Sequence, residues 1–529
     1  MKKLTFIKKT FIIAIALVIT TFNSMSQEFS MTEISWIEKL KVPSVQDIDV
    51  MKMDSNVLIY QSNVLRSQDL YASVIGGVEK NHIYRVELNT KRIIDKDINL
   101  KTGDKRRVVE KILYLNNTIH VISSFINTDQ KKYYIFDETL NSENLELNND
   151  SKKICEVDFG QMEGVNKNSI ESSISLNRAK LLISTTISAK AQNQHSINIF
   201  DQQLNEKSHY TIKTTNLDTY LLRIANDNDD NLYAIETNKA KKDEQRKYTI
   251  YFYSKDNSAP KQQTFMLENK AISFDLSVNK KNELICAGLF FKNGQASASG
   301  AFSYVCPTYL SAEGKLNLLP FTNEFLTRGL DETETAKVEK ALKNNEEFND
   351  KCSYLLDTLH IQQNGDFMFT TEKTKTESRT VSSGIMLETV YYFTSGDVYA
   401  FSCNADGSFK WHQKITRNTV LKDDNSFAGH YLTHYDINNN INLIYGSFLS
   451  TKLFGVRAGF GKDPKTVMTS FDSNGNKTEK VIFTDKKLVQ SFMPVYSKSW
   501  DNNKLIITRI NTGFVATKST YSIAQITLK

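Results

Sequence analysis

Residues 398–415, VYAFSCNADGSFKWHQKI, hold two β-prone runs separated by a polar turn, and residues 364–369, NGDFMF, place another polar turn directly before an apolar run. Asn, Asp and Gly favour tight turns because they tolerate left-handed backbone or bond to it locally. Short β-branched and aromatic runs between such turns are typical of strands. These two stretches therefore predict neighbouring antiparallel strands joined by tight turns.

The pattern of a polar turn followed by a short apolar run recurs eight times, at a spacing expected of a repeat protein. The turns are Asp54–Asn56, Asn116–Asn117, Asn177–Arg178, Asn228–Asn231, Lys281–Asn282, Asn364–Asp366, Asn438–Asn440 and Asp501–Asn503.

A second pattern, strand, turn and strand, alternates with the first and occurs only seven times. It begins near residues 83, 133, 197, 250, 303, 398 and 467. The missing eighth copy has a counterpart at the other terminus, because Glu33–Leu40 resembles Phe409–Ile415, with Trp36 in the place of Trp411. We therefore expect the N-terminal strand to complete the last unit, which would leave the final sheet without an open edge.

Eight four-stranded units with a split last unit predict an all-β fold, a single β-propeller over residues 27–529. Seven blades are the alternative. The chain has only six prolines and lacks a Pro/Gly/Ser-rich linker, which disfavours an array of separate sandwiches. One helix is expected to interrupt the strands near residues 331–349, where Asp331 and Glu334 form a capping-box pattern.

The first 26 residues have the pattern of a secretory signal. Lys2, Lys3, Lys8 and Lys9 precede the apolar run Phe11–Thr20, and Ser24-Met25-Ser26 gives a cleavage pattern before Gln27. An apolar run of about ten residues is short for a membrane span. These four lysines account for most of the net charge of +6. The rest of the chain, after residue 26, lacks the concentrated basic patch that nucleic-acid binding requires.

In each blade with strands A to D, the B–C and D–A connections share one face, here called the B–C face. The long B–C connections, with Gly, aromatic and basic residues, predict a binding surface on this face. The candidate binding residues are Tyr391, Tyr392, Phe393, Phe454, Arg457, Phe460 and Lys462. Loops that fold back onto their own propeller are the alternative.

Catalytic motifs are not found in the sequence, and neither a cofactor nor a metal is predicted. His430 and His434 are four apart in a strand context, too distant to share one zinc ion. Asn226–Asn231 is acidic but lacks the calcium-loop pattern. Glu236 and Glu372 end two B strands and are interpreted as solvated. Cys286 and Cys306 flank one hairpin, and their bridging is left open.

The segment from residue 354 to 483 resembles a family of exported, uncharacterised propeller proteins of Bacteroidota. The matching residues are Asn364, Gly365, Asp366, Glu372, Tyr391, Tyr392, Asp397, Asp406, Gly407 and Trp411. The resemblance implies an eight-bladed fold and a location in the cell envelope. It brings neither an activity nor catalytic residues.

Two functional hypotheses follow from these patterns. The first is a non-catalytic propeller of the cell envelope that binds a protein or a glycan through its B–C face. The periplasm is the expected location, and the outer surface or the medium is the alternative. The second hypothesis is a hydrolase or lyase that acts on an extracellular polymer with carboxylates at the channel mouth.

Overall fold

The computed structural model describes most of the chain beyond residue 36. The described ranges are 37–42, 47–53, 56–62, 81–148, 150–160, 167–174, 180–188, 193–214, 219–238, 246–256, 259–267, 270–291, 298–343, 352–357, 359–383, 386–422, 429–447, 452–453, 456–457, 465–484, 490–501, 503–512 and 519–527. The predicted signal segment and Trp36 lie outside them.

The described residues form eight antiparallel sheets of four or more strands. Sheet 1 contains β2 (Asp47–Met53), β3 (Asn56–Ser62), β4 (Asn81–Glu87) and β5 (Ile93–Ile98). Sheet 2 contains β8 (Val108–Leu115), β9 (Thr118–Asn127), β10 (Lys132–Leu140) and β11 (Lys152–Asp158). Sheet 3 contains β12 (Lys167–Ile174), β13 (Lys180–Ser188), β14 (Asn193–Asp201) and β15 (Glu206–Thr214). Sheet 4 contains β16 (Thr219–Asn226), β17 (Leu232–Asn238), β18 (Arg246–Tyr253) and β19 (Lys261–Leu267).

The second half of the chain continues the same arrangement. Sheet 5 contains β20 (Lys270–Val278), β21 (Leu284–Phe291), β22 (Gly300–Cys306) and β23 (Lys315–Pro320). Sheet 6 contains β24 (Ser353–Leu356), β25 (His360–Ile361), β26 (Phe367–Ser383), β27 (Met386–Cys403), β28 (Phe409–Ile415) and β29 (Thr419–Lys422). Sheet 7 contains β30 (Tyr431–Tyr435), β31 (Ile441–Ser447), β34 (Lys465–Phe471) and β35 (Lys477–Thr484). Sheet 8 contains β36 (Gln490–Phe492), β37 (Lys498–Asp501), β38 (Lys504–Thr512), β39 (Ser519–Thr527) and β1 (Ile37–Val42).

Two small hairpins stand apart from these sheets. They are β6 (Lys101–Thr102) with β7 (Lys105–Arg106), and β32 (Lys452–Leu453) with β33 (Val456–Arg457).

A recurring turn, Asp-x-x-x-Asn, explains many of the hairpins. In the turn at Asp227, its carboxylate accepts hydrogen bonds from the backbone N–H of Asp229 and Asn231 at 2.9 Å, and Asn231 Nδ2 donates to it at 2.8 Å. The fourth residue, Asp230, has a φ of 68°. The same bonds form at Asp201, Asp436 and Asp472. The acidic stretch at Asn226–Asn231 is therefore this ordinary turn.

Eight hydrophobic clusters of described residues lie between the sheets. Seven of these clusters join a sheet to the next one along the chain. The eighth joins sheet 8 to sheet 1, where Ile506 and Ile523 pack with Val57 and Ile59. The first strands of several sheets also lie side by side, and β2 contacts both β8 and β37. Sheet 8 therefore packs against sheet 1 as well as against sheet 7.

The N-terminal strand lies in the last sheet, as the sequence predicts. β1 pairs antiparallel with β39, with Ile37 opposite Ile523 and Val42 opposite Ser519. In sheet 6 the corresponding outer strand is β28, where buried Trp411 donates its indole N–H to the carbonyl of Ser473 at 3.1 Å.

Two helices precede sheet 6. α1 (Asn323–Thr327) was not anticipated from the sequence, whereas α2 (Glu332–Lys343) falls in the predicted helical region, and residues 344–349 are outside the described part. The Asp331 carboxylate accepts a hydrogen bond from the backbone N–H of Glu334 at 2.8 Å, so the predicted cap forms. Within the described residues, no helix is apolar and long enough to cross a membrane.

Candidate functional site

The long B–C connection of sheet 6 is a β-hairpin arm. β26 and β27 have 17 and 18 residues, and their pairing continues from Thr374 opposite Ser395 out to Ser383 opposite Met386. We call residues 374–395 the arm. Thr recurs along β26, and Val, Tyr and Phe lie together in β27. Because β-branched and aromatic residues favour extended backbone, this sequence forms a hairpin rather than an irregular loop.

The arm has two chemically different faces, because side chains alternate along a strand. Cross-strand pairs place one set of six residues on the same face, here called the arm platform: Thr376, Ser378, Thr380, Thr389, Tyr391 and Phe393. Tyr391 is 49% exposed, Phe393 is half-buried, and the four hydroxyl residues are exposed. The other face carries Tyr392 and buried Val390.

Three consecutive aromatic residues are among the predicted binding residues, namely Tyr391, Tyr392 and Phe393. The structure divides them between the two faces of the arm. Tyr391 and Phe393 belong to the platform, whereas the ring of Tyr392 has the Arg379 guanidinium 5.1 Å from its centroid. On this second face, Glu377 forms ion pairs with Lys375 at 2.8 Å and with Arg379 at 3.6 Å.

A buried charge cluster lies at the base of the arm. Glu372, whose side chain is 2% exposed, accepts a hydrogen bond from Arg417 at 3.3 Å, and His430 Nδ1 lies 2.5 Å from its second oxygen. Arg417 also donates to the carbonyl of Gly429 at 2.5 Å and lies 4.5 Å from the centre of the Tyr445 ring. The interpretation of Glu372 as a solvated strand-end residue is thus wrong, because two distant segments cover it.

A second buried ion pair lies next to this cluster. Lys414, 1% exposed, pairs with Asp397 at 3.1 Å and donates to the carbonyl of Leu326 in α1 at 2.8 Å. Burial lowers the pKa of Lys414, and the nearby Asp397 carboxylate opposes this shift. Asp397 also accepts a hydrogen bond from the backbone N–H of Arg417 at 3.3 Å. The base of the arm, the end of β28 and α1 are consequently tied together.

A third strand supports the arm from the connection that follows β28. β29 pairs with β27, with Leu421 opposite Phe393. The buried side chain of Leu421 packs in the cluster formed by sheets 8 and 1, together with Val50, Met493 and Trp500. The support of the arm therefore reaches sheets that do not adjoin sheet 6.

Two carboxylates, Asp275 and Asp357, interact electrostatically at the first strands of sheets 5 and 6. Burial raises the pKa of Asp275 in β20, and the charge of Asp357, after β24, raises it further. The backbone N–H groups of Leu276 and Leu359 and the positive charge of Arg223 act in the opposite direction. Further along, the His360 ring stacks on Tyr435 with centroids 3.9 Å apart, and burial lowers the pKa of His360 to about 4.

The remaining sequence candidates are separated or fall outside the described residues. Phe454, Phe460 and Lys462 lie outside, as does the Arg457 side chain, although Arg457 itself belongs to β33. Burial raises the pKa of Glu236, and Tyr251 bonds to it, so Glu236 and Glu372 have different partners.

His430 and His434 also have different partners. His430 contacts Glu372, whereas His434 Nδ1 lies 2.9 Å from Ser499 Oγ. Within the described ranges, no group of three or more His, Cys, Asp or Glu side chains is arranged to hold a metal ion. Cys286 and Cys306 are both free and buried, and neither faces the other directly, since Cys286 is opposite Tyr304.

Sequence reasoning missed Arg417 and Lys414, which bind the two carboxylates at the arm base. Their only local signal is position, because Lys414 lies near the end of the strand that contains Trp411 and Arg417 follows that strand.

No family model matches this chain, and no curated protein matches it significantly. Among solved structures, the polysaccharide lyase Uly1 matches at 10% identity and a TM-score of 0.34, over 81% of this chain and 94% of the lyase. An acylaminoacyl peptidase of Pyrococcus horikoshii matches at 10% identity and 0.33, over 90% of this chain and 58% of the peptidase. An α-L-arabinanase of Penicillium chrysogenum, complexed with arabinobiose, matches at 11% identity and a TM-score of 0.32, over 65% of this chain and 94% of the arabinanase. Similarity this distant carries no argument about function.

Proposed function

We propose that the eight sheets are the blades of one closed β-propeller and that its B–C face binds a macromolecular ligand. The cyclic order of the eight hydrophobic clusters supports the ring. The pairing of β1 with β39 supports an eighth blade completed by the N-terminal strand. Eight sheets favour eight blades over seven.

The location proposed for the protein is the cell envelope, with export through residues 1–26. The support is the order of four lysines, an apolar run and small residues before Gln27. The ligand in that location would be an envelope protein or glycan.

The observation that carries the binding function is the arm. In the proposed ring, sheet 6 is not adjacent to sheets 8 and 1, so Leu421 would reach them across the mouth of the channel. The arm would then rise from a covered mouth and present its platform, with Tyr391 about half exposed, to a large ligand. Connections on a rigid scaffold are common binding elements, and exposed aromatics are common anchors.

A hydrolase or lyase is the second candidate, and one observation favours it. Asp275 has a raised pKa and lies near a second carboxylate, Asp357, and a cation, Arg223. Carboxyl groups with shifted pKa values that lie together are candidates for acid–base chemistry. By contrast, Glu372 is already paired with Arg417 and His430, which suits a structural role.

The binding function is tested by shortening the arm. Replacing residues 378–391 with Asn-Gly would join Glu377 and Tyr392, which are a cross-strand pair, through a two-residue turn. The pairing of β29 with Tyr392–Ser395 is retained in this variant. We expect it to fold and to lose ligand capture from envelope proteins and from a polysaccharide panel.

A second variant, with residues 451–464 replaced by a Gly/Ser linker, tests the candidates Phe454, Arg457, Phe460 and Lys462 separately. If both variants retain every ligand of the unmodified protein, the B–C face is not the binding face. Loss in the linker variant alone would assign binding to that loop rather than to the arm.

A further inference from the structure

The arm separates its charges from its hydroxyl groups. Lys375, Glu377 and Arg379 share one face, where both cations pair with Glu377. The arm platform, on the opposite face, consists of three Thr, one Ser and two aromatic residues, and none of the six is charged. The two cations of the arm, Lys375 and Arg379, lie on the opposite face, where both pair with Glu377, so the platform itself offers no cation to a polyanion.

The platform also has an ordered geometry. Thr376, Ser378 and Thr380 alternate along β26, so their side chains are spaced about 7 Å apart, and each lies opposite a platform residue of β27. Thr side chains are restricted at χ1, so binding through them costs little rotamer freedom. The result is a row of hydroxyl donors and acceptors beside a row that contains Tyr391 and Phe393.

These properties fit a sugar chain. The face of an aromatic ring carries negative partial charge and attracts the slightly positive C–H groups on one side of a pyranose. The hydroxyl groups of the sugar can bond to the Thr and Ser hydroxyls, which donate and accept equally. The core of a protein interface is rich in aromatic, Met and Arg residues, whereas four of the six platform residues carry small hydroxyl side chains.

We propose that the arm platform binds a neutral polysaccharide, with one sugar ring stacked on Tyr391 and the flanking sugars bonded to the hydroxyl row. This inference rests on the proposed function, because it names the ligand class of the same B–C face. Phe393, half-buried at the inner end, would limit how far the chain extends toward the channel mouth.

The test is affinity gel electrophoresis of the full-length protein. Neutral polysaccharides (arabinan, galactan, mannan, xyloglucan and laminarin) are compared with polygalacturonate and alginate. We expect retardation by at least one neutral polymer, unchanged by 0.5 M NaCl because charge pairing is not involved. Tyr391→Ala should weaken that affinity at least about tenfold, since truncating a central aromatic anchor has effects of this size.

Two matched variants separate stacking from general damage. Tyr391→Phe retains the ring and should bind within about threefold of the unmodified protein, whereas Tyr392→Ala removes a neighbouring ring on the opposite face and should leave affinity unchanged. The melting temperature of each variant is measured in parallel.

The inference is overturned if none of the neutral polymers binds, if binding is confined to the polyanions, or if Tyr392→Ala weakens binding as much as Tyr391→Ala. In those cases the arm-shortened variant tests the broader proposal that the B–C face binds a macromolecular ligand. Loss of a protein ligand on shortening would retain the binding function while excluding the glycan. Retention of every ligand would exclude the arm as the binding element, and the variant with residues 451–464 replaced would then decide whether the B–C face binds at all.

Discussion

Arg417→Met should destabilise the protein more than any surface change of equal size. The substitution removes the guanidinium and leaves the Glu372 carboxylate, 2% exposed, with His430 as its described partner. Removing one member of a buried ion pair costs about 3–5 kcal/mol, because the remaining charge stays desolvated. The lost contact with the Tyr445 ring, 4.5 Å away, acts in the same direction.

The expected shift in melting temperature is small despite this cost. An unfolding entropy of about 2.1 cal/mol/K per residue corresponds to about 1.1 kcal/mol/K for 529 residues. A loss of 3–5 kcal/mol would then lower the melting temperature by only about 3–5 °C. Urea unfolding followed by tryptophan fluorescence is therefore the better assay, with calorimetry as a check that the transition is cooperative.

Two further variants make the measurement decisive. Lys315→Met breaks an exposed ion pair, in which the side chains of Lys315 and Asp406 are 58% and 53% exposed. This change should lower the free energy of unfolding by less than about 1 kcal/mol. The double variant Arg417→Met with Glu372→Leu removes both charges and should recover most of the loss. A cost below 1 kcal/mol for Arg417→Met, or no recovery in the double variant, would refute the argument that the cluster is buried and mutually neutralised.

Three other outcomes follow from the structure. Gly475→Ala should cost at least about 1–3 kcal/mol, because Gly475 has a φ of +81° and a Cβ there would lie 2.8 Å from Trp411 Cγ; unchanged urea unfolding would contradict this. Asp275→Asn should leave stability unchanged in acid, raise it as the pH increases above the usual range of an Asp carboxyl, and give a constant gain once Asp275 is ionised in the folded protein. The reason is that the raised pKa makes the folded state hold the Asp275 proton to higher pH than the unfolded state, so ionisation costs stability as pH rises; a gain independent of pH would count against it. Removal of residues 1–42 should lower stability and cause self-association, since the edge of β39 loses β1, and a stable monomer in sedimentation would oppose the proposed ring closure.

Local chemistry made much of the fold predictable from the sequence. The Asp-x-x-x-Asn turns bond within five residues, so Asp227, Asp436 and Asp472 specify their hairpins without help from the rest of the chain. The placement of β1 was predictable because its sequence resembles β28. The division of Tyr391 and Tyr392 between two faces does not follow from the sequence, because strand alternation applies only where the segment forms a hairpin rather than a loop.

The charge cluster at the arm base shows the limit of such reasoning. Glu372 meets Arg417 and His430 across 45 and 58 residues of sequence, and no local pattern marks either pairing. A carboxylate at the end of a strand is usually solvated, and the sequence therefore predicts a solvated Glu372. This prediction is wrong because a later connection folds back over the side chain. Pairings of this kind depend on the assembled sheets and can be identified only from the structure.

The buried base of the arm fixes its orientation, and the exposed platform is the surface that we propose binds the ligand. Burying ions contributes little net stability in general, so the cluster is better understood as fixing the direction in which the hairpin leaves sheet 6. β24 pairs with β26 at Ser353–Leu356, β29 pairs with β27, and Lys414 binds α1, so three elements hold the base. A surface held in its binding geometry loses less freedom when a ligand arrives. Changes at Arg417 should therefore alter stability first, whereas changes at Tyr391 should alter affinity alone.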